Sequence, residues 1–401
     1  MKKLFALLLV SLLAVVPLLA SAEVTLTMGS WRPDDYAQMN ELLAAYKEIA
    51  PDVTISFEPT INVDYNATLR LQLDNGTGPD LFTTRSFANG LDLYKSGFLA
   101  DLTDVPGIKE NFIDNNRAPW SDEGVTYSLP FAAVSHGVYY NIDIFNANNL
   151  AVPATWEDFM AVCQALKDAG IIPIGNGVAD EWDILECVFC SMISNYIGGA
   201  EERIKFETGE RKMTDPAFVE ALTDLQGLAQ YLPADFSAVA YNDGSNLFGL
   251  GQCAMYIDGS WSAGVYDDVD FEWSVFPVPA REGRETIIPF HPDMGIAVNA
   301  ASPNAEAAKA FVAWLATPEG AQVAADKLPK GFFPMIDASI NISEEHCQAF
   351  LVMNEGRQTD CRFVFAKLTQ LYTPMNQEII KVLKGEQTPE GAAEALAALL
   401  P

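Results

Sequence analysis

Apolar positions along the chain switch between two periods. Val24–Met28 is a short apolar run of strand type. In the next stretch Met39, Leu42, Leu43, Tyr46 and Ile49 fall on one helical face, which stops before Pro51. Val53–Phe57 predicts a second strand and 66–75 a second helix ended by Gly76. Leu81–Thr83 predicts a third strand, and 87–96 a third helix stopped by Gly97. This alternation predicts a mainly parallel sheet with helices on both faces. Tyr127–Tyr140 reads as a strand pair or one long strand, after which a second α/β unit begins. Thr155 and Asp158 form a box-like helix start, and Asp215-Pro216 opens another helix with proline at its first position. Further strands are expected at Ala254–Ile257, Trp273–Phe276 and Ile296–Asn299. An alanine-rich helix over 304–316 follows, and Thr317-Pro318-Glu319 starts the next at once. The tail predicts two helices broken at Gly385. No repeat or flexible linker separates the two units, so they are expected as lobes joined by strands.

The N-terminus changes the picture of compartment. Met1-Lys2-Lys3 precedes an apolar run to Ala20, and Ala20-Ser21-Ala22 fits a small-residue cleavage site, so residues 1–22 read as a secretory signal peptide. Ser11 and Pro17 interrupt the run, which falls short of the ~20 apolar residues a membrane span needs. The first cysteine is Cys163, so no cysteine at the cleavage site could carry a lipid, and a periplasmic location is expected. The remaining chain, about 380 residues, exceeds the size at which one core normally splits in two. The net charge of −30 repels nucleic acid and anionic lipid. Six cysteines in an exported chain permit disulfides. Cys347 and Cys361 bound a loop that a bridge would close, and Cys163 would reach Cys187 or Cys190 if their helices pack. The connectivity among these five and Cys253 stays open, and an anaerobic habitat would leave all six reduced. Three scattered histidines and one C-x-x-C do not make a zinc site, so neither metal nor cofactor is expected. The G-x-S-x-G, H-E-x-x-H and G-x-x-x-x-G-K-[ST] signatures are missing from the sequence.

Several segments, in order, resemble the family 1 extracellular solute-binding proteins of ABC importers, the maltose-binding-protein-like carbohydrate receptors. They are Gly76-Thr77-Gly78-Pro79-Asp80-Leu81-Phe82, Ser128-Leu129-Pro130 with Gly137-Val138-Tyr139-Tyr140-Asn141, and Pro153-Ala154-Thr155-Trp156-Glu157-Asp158-Phe159. The fourth is Gly251 to Trp261, similar to the family's G-x-x-A-M-x-x-x-G-x-W. Val298 to Asn304 and Leu383 to Glu390 complete the set. The resemblance implies a two-lobed periplasmic-binding-protein fold (type II) of the α/β class, each lobe a mixed, mainly parallel sheet flanked by helices, with hinge crossings. The N-lobe would be 23–132 plus 291–340 and the C-lobe 133–290 plus 341–401. It also implies a monomer that closes on its ligand and docks on membrane permease subunits.

A sugar offers hydroxyls at its rim and apolar C–H faces, so its pocket needs aromatic planes with charged or amide hydrogen-bonding groups. Trp261 matches a family tryptophan that stacks on sugar. Trp31, Arg32 and Asp35 follow the first strand, at a carboxyl end where α/β ligands gather, although Asp35 equally suits a helix cap. Arg85 follows the third strand with the same logic. Trp182 matches a frequent cleft tryptophan or packs helices. His136 and Asp293 lie at the expected lobe crossings, and one of Phe332 and Phe333 is expected at the cleft rim. Tyr139 and Tyr140, adjacent on a strand, point to opposite faces and do not share a metal. The expected function is a non-enzymatic, periplasmic carbohydrate receptor for a di- or oligosaccharide. A polyamine or glycerol phosphoester receptor and a secreted glycan-acting enzyme are the alternatives.

Overall fold

The computed structural model describes residues 23–180, 182–364 and 366–400. Residues 1–22, expected to be a signal peptide, lie outside the described residues. The strands are β1 (Val24–Ser30), β2 (Val53–Pro59), β3 (Leu81–Arg85), β4 (Ser121–Asp122), β5 (Val125–Thr126), β6 (Leu129–Asn141), β7 (Ile172–Ile174), β8 (Cys253–Gly259), β9 (Trp273–Phe276), β10 (Ile288–Val298), β11 (Phe333–Pro334) and β12 (Thr359–Asp360). One curled sheet runs β2-β1-β3-β10-β6-β8-β7, with β11 and β9 paired to β6 and β12 to β10. The β1/β2, β1/β3 and β7/β8 pairs are parallel, while β10 and β6 run antiparallel to their neighbours on this path.

β6 is one long strand, and its two halves belong to different surroundings. Leu129–Ser135 pair with β10, whereas His136–Tyr140 pair with β8. Leu129, Phe131 and Val134 enter a core built on Leu26, Leu42, Phe82, Ile296 and Phe311. Val138 enters a second core of Phe159, Ile193, Leu222, Ile257 and Ile379. β10 makes the same transition, with Ile296 in the first core and Ile288 in a third, smaller one with Tyr139, Tyr256 and Phe350. Two buried strands thus cross from lobe to lobe at His136 and His291. Alternation puts Tyr139 into the small core, its hydroxyl donating to Gly259 O, while Tyr140 packs on Phe145 and Phe276.

Local signals set most helix starts. Thr155 accepts from Asp158 N at 3.1 Å, Asp215 from Ala217 N at 2.9 Å and Thr317 from Gly320 N at 3.0 Å, each satisfying a donor the helix leaves over. The run after Trp182 is helical but begins as a π-helix, Asp183–Phe189, before the α-helix Cys190–Ile197. The disulfide expectation is corrected: all six cysteines are free thiols. Cys347 Sγ instead accepts from Gly331 N at 3.1 Å, and Cys187 Sγ donates to Asp258 at 3.2 Å, so the 347–361 loop is unbridged. Buried cysteines of this kind behave as small hydrophobes.

Candidate functional site

The crossing strands bring His136 and His291 together, Nε2 to Nε2 at 3.1 Å. Burial, with the positive charge of Arg362, holds both imidazoles well below their usual value, so both rings are neutral. His291 Nδ1 lies 3.1 Å from Pro292 O, which can only accept, so the His291 proton sits on Nδ1. Its Nε2 must then accept from His136 Nε2–H. That leaves His136 Nδ1 as a bare, buried lone pair with no partner among the described residues.

Trp261 stands edge-on to His136, with ring centres 5.1 Å apart. It sits just past the end of β8, where a Cβ on Gly259 would lie 2.1 Å from the indole; glycine alone lets the ring fold back over the strand. The indole Nε1 donates to Tyr241 Oη at 2.9 Å. Trp182 packs on Tyr241 at 4.3 Å and lies 6.4 Å from Trp261. The π-helix that follows Trp182 is anchored by buried Asp183, which accepts from Asn176 Nδ2 at 2.9 Å.

A second cluster forms behind β1 and β3. Trp31 is edge-on to Tyr65 at 5.7 Å, and the Arg85 guanidinium lies 4.5 Å over the Trp31 ring. Arg85 also donates to Asn62 and Asn66. Arg32 makes two parallel bonds to Asp35, at 2.6 and 2.7 Å, and lies 4.8 Å over Phe332. Asp35 precedes the helix Tyr36–Ile49 but its side chain makes no cap bond. Burial raises the Asp35 carboxyl and the Arg32 charge opposes this; Arg32 in turn feels Asp293 and Tyr241, so the two clusters lie near each other.

Asp293, on β10, accepts from Arg362 at 3.2 Å, and Arg362 also pairs with Glu186 of the π-helix, to which Tyr372 donates. The expected residues thus form two clusters, Trp182, Trp261 and His136 in one and Trp31, Arg32, Asp35, Arg85 and Phe332 in the other, while Asp293 pairs with Arg362. Phe333 is not brought in: β11 alternation turns it into the small core against Phe290, at 5.8 Å. Tyr241, Glu186, His291, Arg362 and Tyr372 escaped the sequence reading, because they lie outside the motif segments and carry no local signature. Asp267, Glu344 and His346 lie within 4.8 Å of one another, but Lys330 Nζ already bonds both carboxylates at 2.8 and 3.0 Å. That ammonium supplies the positive charge a metal would bring.

Chemically the site offers aromatic rings, of which Trp182, Tyr241 and Trp261 are only partly buried, and bordering charges that pair with one another, Arg32 with Asp35 and Arg362 with Glu186 and Asp293. Residues 29–322 match the family model described as bacterial extracellular solute-binding protein. The chain is 25% identical over 259 residues to an uncharacterised ABC transporter extracellular-binding protein of Pyrococcus horikoshii, covering 63% of this chain and 60% of that one. It is 26% identical over 330 residues to the mannitol-binding protein of Pseudomonas aeruginosa, covering 78% and 73%. Among solved structures, the bacterial solute receptor AcbH, with a preference for β-D-galactopyranose, superposes with a TM-score of 0.84 at 18% identity, over 94% of this chain and 98% of that one. This last likeness is one of fold.

Proposed function

The chain belongs to the family of bacterial extracellular solute-binding proteins, and from that premise we propose that it is the periplasmic receptor subunit of an ABC importer for a neutral carbohydrate, a disaccharide or small oligosaccharide. Residues 23–132 with 291–340 form one lobe of this receptor and 133–290 with 341–401 the other. The ligand lies between Trp182, Tyr241 and Trp261 on one side and Trp31, Arg32, Asp35, Arg85 and Phe332 on the other. The receptor works as a monomer, binds without chemical turnover and hands its ligand to membrane permease subunits.

The observation that carries this reading is the internal matching of charge beside aromatic planes. A polyamine would need carboxylates left over, and a phosphoester would need guanidinium groups left over. Here Asp35, Asp293 and Glu186 are already engaged by Arg32 and Arg362, and Arg85 by amides and an indole face, while Asp183 and Asp258, whose donors are neutral, are fully buried beneath the rings and out of a ligand's reach. Paired charges still direct lone pairs and protons at sugar hydroxyls, with charge-assisted bonds worth roughly 1.5–3 kcal/mol each. The bare Nδ1 of His136 supports the reading too, since a buried acceptor without a donor costs about 1–3 kcal/mol until a ligand hydroxyl supplies one. The mannitol named for the relative of Pseudomonas aeruginosa is likewise a neutral polyol, which supports the neutral class but not the number of sugar units.

A thermal-shift screen of the purified mature chain against neutral saccharides, polyamines and phosphoesters tests it. A ligand at 100 times its Kd adds about 2.7 kcal/mol of stability. A raised melting temperature with neutral saccharides alone is expected. A response only to polyamines or phosphoesters would overturn the substrate class, and conversion of a saccharide by the protein would overturn the receptor role.

A further inference from the structure

Asp258, the next-to-last residue of β8, is fully buried beneath the Trp261 cluster. No basic side chain bonds to it among the described residues. Its donors are neutral: Tyr241 Oη at 2.8 Å and Ser262 Oγ at 2.6 Å on one oxygen, and Cys187 Sγ at 3.2 Å on the other. A buried carboxylate with no countercharge is costly, and in a merely structural place an amide or an apolar side chain would serve at lower cost.

The bonding directions give the carboxylate a task. An indole N–H only donates, so Tyr241 Oη must accept from Trp261 Nε1. The one Tyr241 proton is then left for Asp258 or for Ser262 Oγ, 2.9 Å away. Ser262 spends its own proton on the same Asp258 oxygen. With Asp258 ionised, both hydroxyls point at the carboxylate, and the chain Trp261 to Tyr241 to Asp258 has a single direction. With Asp258 protonated, the carboxyl becomes a donor. The proton sits on Oδ1, the oxygen facing Cys187, while Oδ2 still accepts from both hydroxyls but without its charge, so both bonds weaken and Tyr241 is held less firmly toward the indole.

We infer that Asp258 is a positioning residue of the proposed carbohydrate site, orienting the Trp261 indole through Tyr241 so that the stacking plane is set before ligand arrives. The proposal rests on the carbohydrate reading only for what lands on that plane. The groups facing Asp258 are Asp183 and Cys187 from the π-helix, Tyr139 from β6, Tyr256 from its own strand, Tyr241 and Tyr266. All are acids, and burial pushes each above its usual value. For Asp258 burial also dominates, raising it to about 6 against the pull of its donors. The chain is therefore weaker in mild acid, where Asp258 takes up its proton.

The test needs no ligand, so it stands or falls separately from the carbohydrate reading. The mature chain is labelled with ¹⁵N in its tryptophan indoles, and W261F identifies the Trp261 Nε1–H signal. In the wild type that signal is expected to move with a midpoint near pH 6, following the Asp258 value of about 6. In D258N the pH dependence disappears. In Y241F the signal is flat with pH and shifted toward the position of a free indole. Y241F keeps the proposal testable if D258N does not fold, because it cuts the chain while leaving the carboxylate in place. A wild-type signal that stays constant while the protein remains folded, or a wild-type pH profile in D258N or Y241F, overturns the proposal.

Discussion

The two aromatic clusters use opposite means to hold their rings. Around Trp31 the rings are clamped by cations, with Arg85 over Trp31 and Arg32 over Phe332. Around Trp261 a hydrogen-bond chain ends on a buried anion, from the indole through Tyr241 to Asp258. Trp31 is 6% exposed and belongs to the first core, whereas Trp261 is half-buried and only packs against that core. One cluster is chiefly a piece of the lobe interior whose polar edge reaches the site. The other is a surface whose orientation is tuned from beneath.

Substitutions sharpen this contrast, beginning with the largest effect. W31A removes a ring packed on Tyr65 and is expected to cost about 3–5 kcal/mol of stability, as large aromatic truncations do. Denaturant unfolding would read it as a lower midpoint at constant slope; a change in ligand affinity with no change in midpoint would reverse the assignment of the two clusters. D258N follows. Burial raises the folded Asp258 carboxyl from 3.8 to about 6, so its stabilising contribution is fully present below the unfolded value and is lost as pH rises through about 6. The stability of D258N relative to wild type is expected to rise by about 3 kcal/mol between the acid and neutral ends of that window, at 1.36 kcal/mol per unit. Chemical denaturation at both ends checks this, and a constant difference refutes it.

W261A is expected to change stability less than W31A while weakening carbohydrate binding by about 2 kcal/mol, roughly 30-fold, in the range of aromatic hot spots. Titration calorimetry with the saccharide found by the thermal screen measures it. R85A has the smallest expected effect, about 0.5–1 kcal/mol, because a cation over a ring at a partly exposed site contributes little. An effect on affinity above that range would mean that Arg85 bonds the ligand directly.

Much of the scaffold was legible from short-range patterns. Period-two and helical spacing predicted β1, β2, β3 and the helices between them, and Thr155 and Asp215 cap the helices they were expected to start. Asp35 shows where such rules stop. It stands at a cap position, but Arg32, three residues earlier, takes both of its oxygens, and two charge-assisted bonds outweigh one cap bond. Phe332 and Phe333 look alike in sequence, and only the strand pairing of β11 with β6 turned one toward Arg32 and the other into a core. The π-helix after Trp182 was legible as helix but not as a widened turn, since apolar periodicity over seven residues does not resolve the two.

What the sequence determined by itself were the features that local chemistry fixes: where many strands and helices begin and end, and a motif order that marks the family; that Leu129–Asn141 is one long strand and not a pair was settled by the fold. Tertiary structure alone decided which charges meet, that the cysteines remain thiols, where the His291 proton sits, and that Asp258 ends up under Tyr241. The physical reason is range. Caps, turns and amphipathic faces depend on residues a few positions apart, whereas Glu186 meets Arg362 across 176 positions and Trp261 meets Tyr241 only because β8 ends beside the helix Tyr241–Gly249. Such neighbours are set by how the whole chain buries its apolar faces.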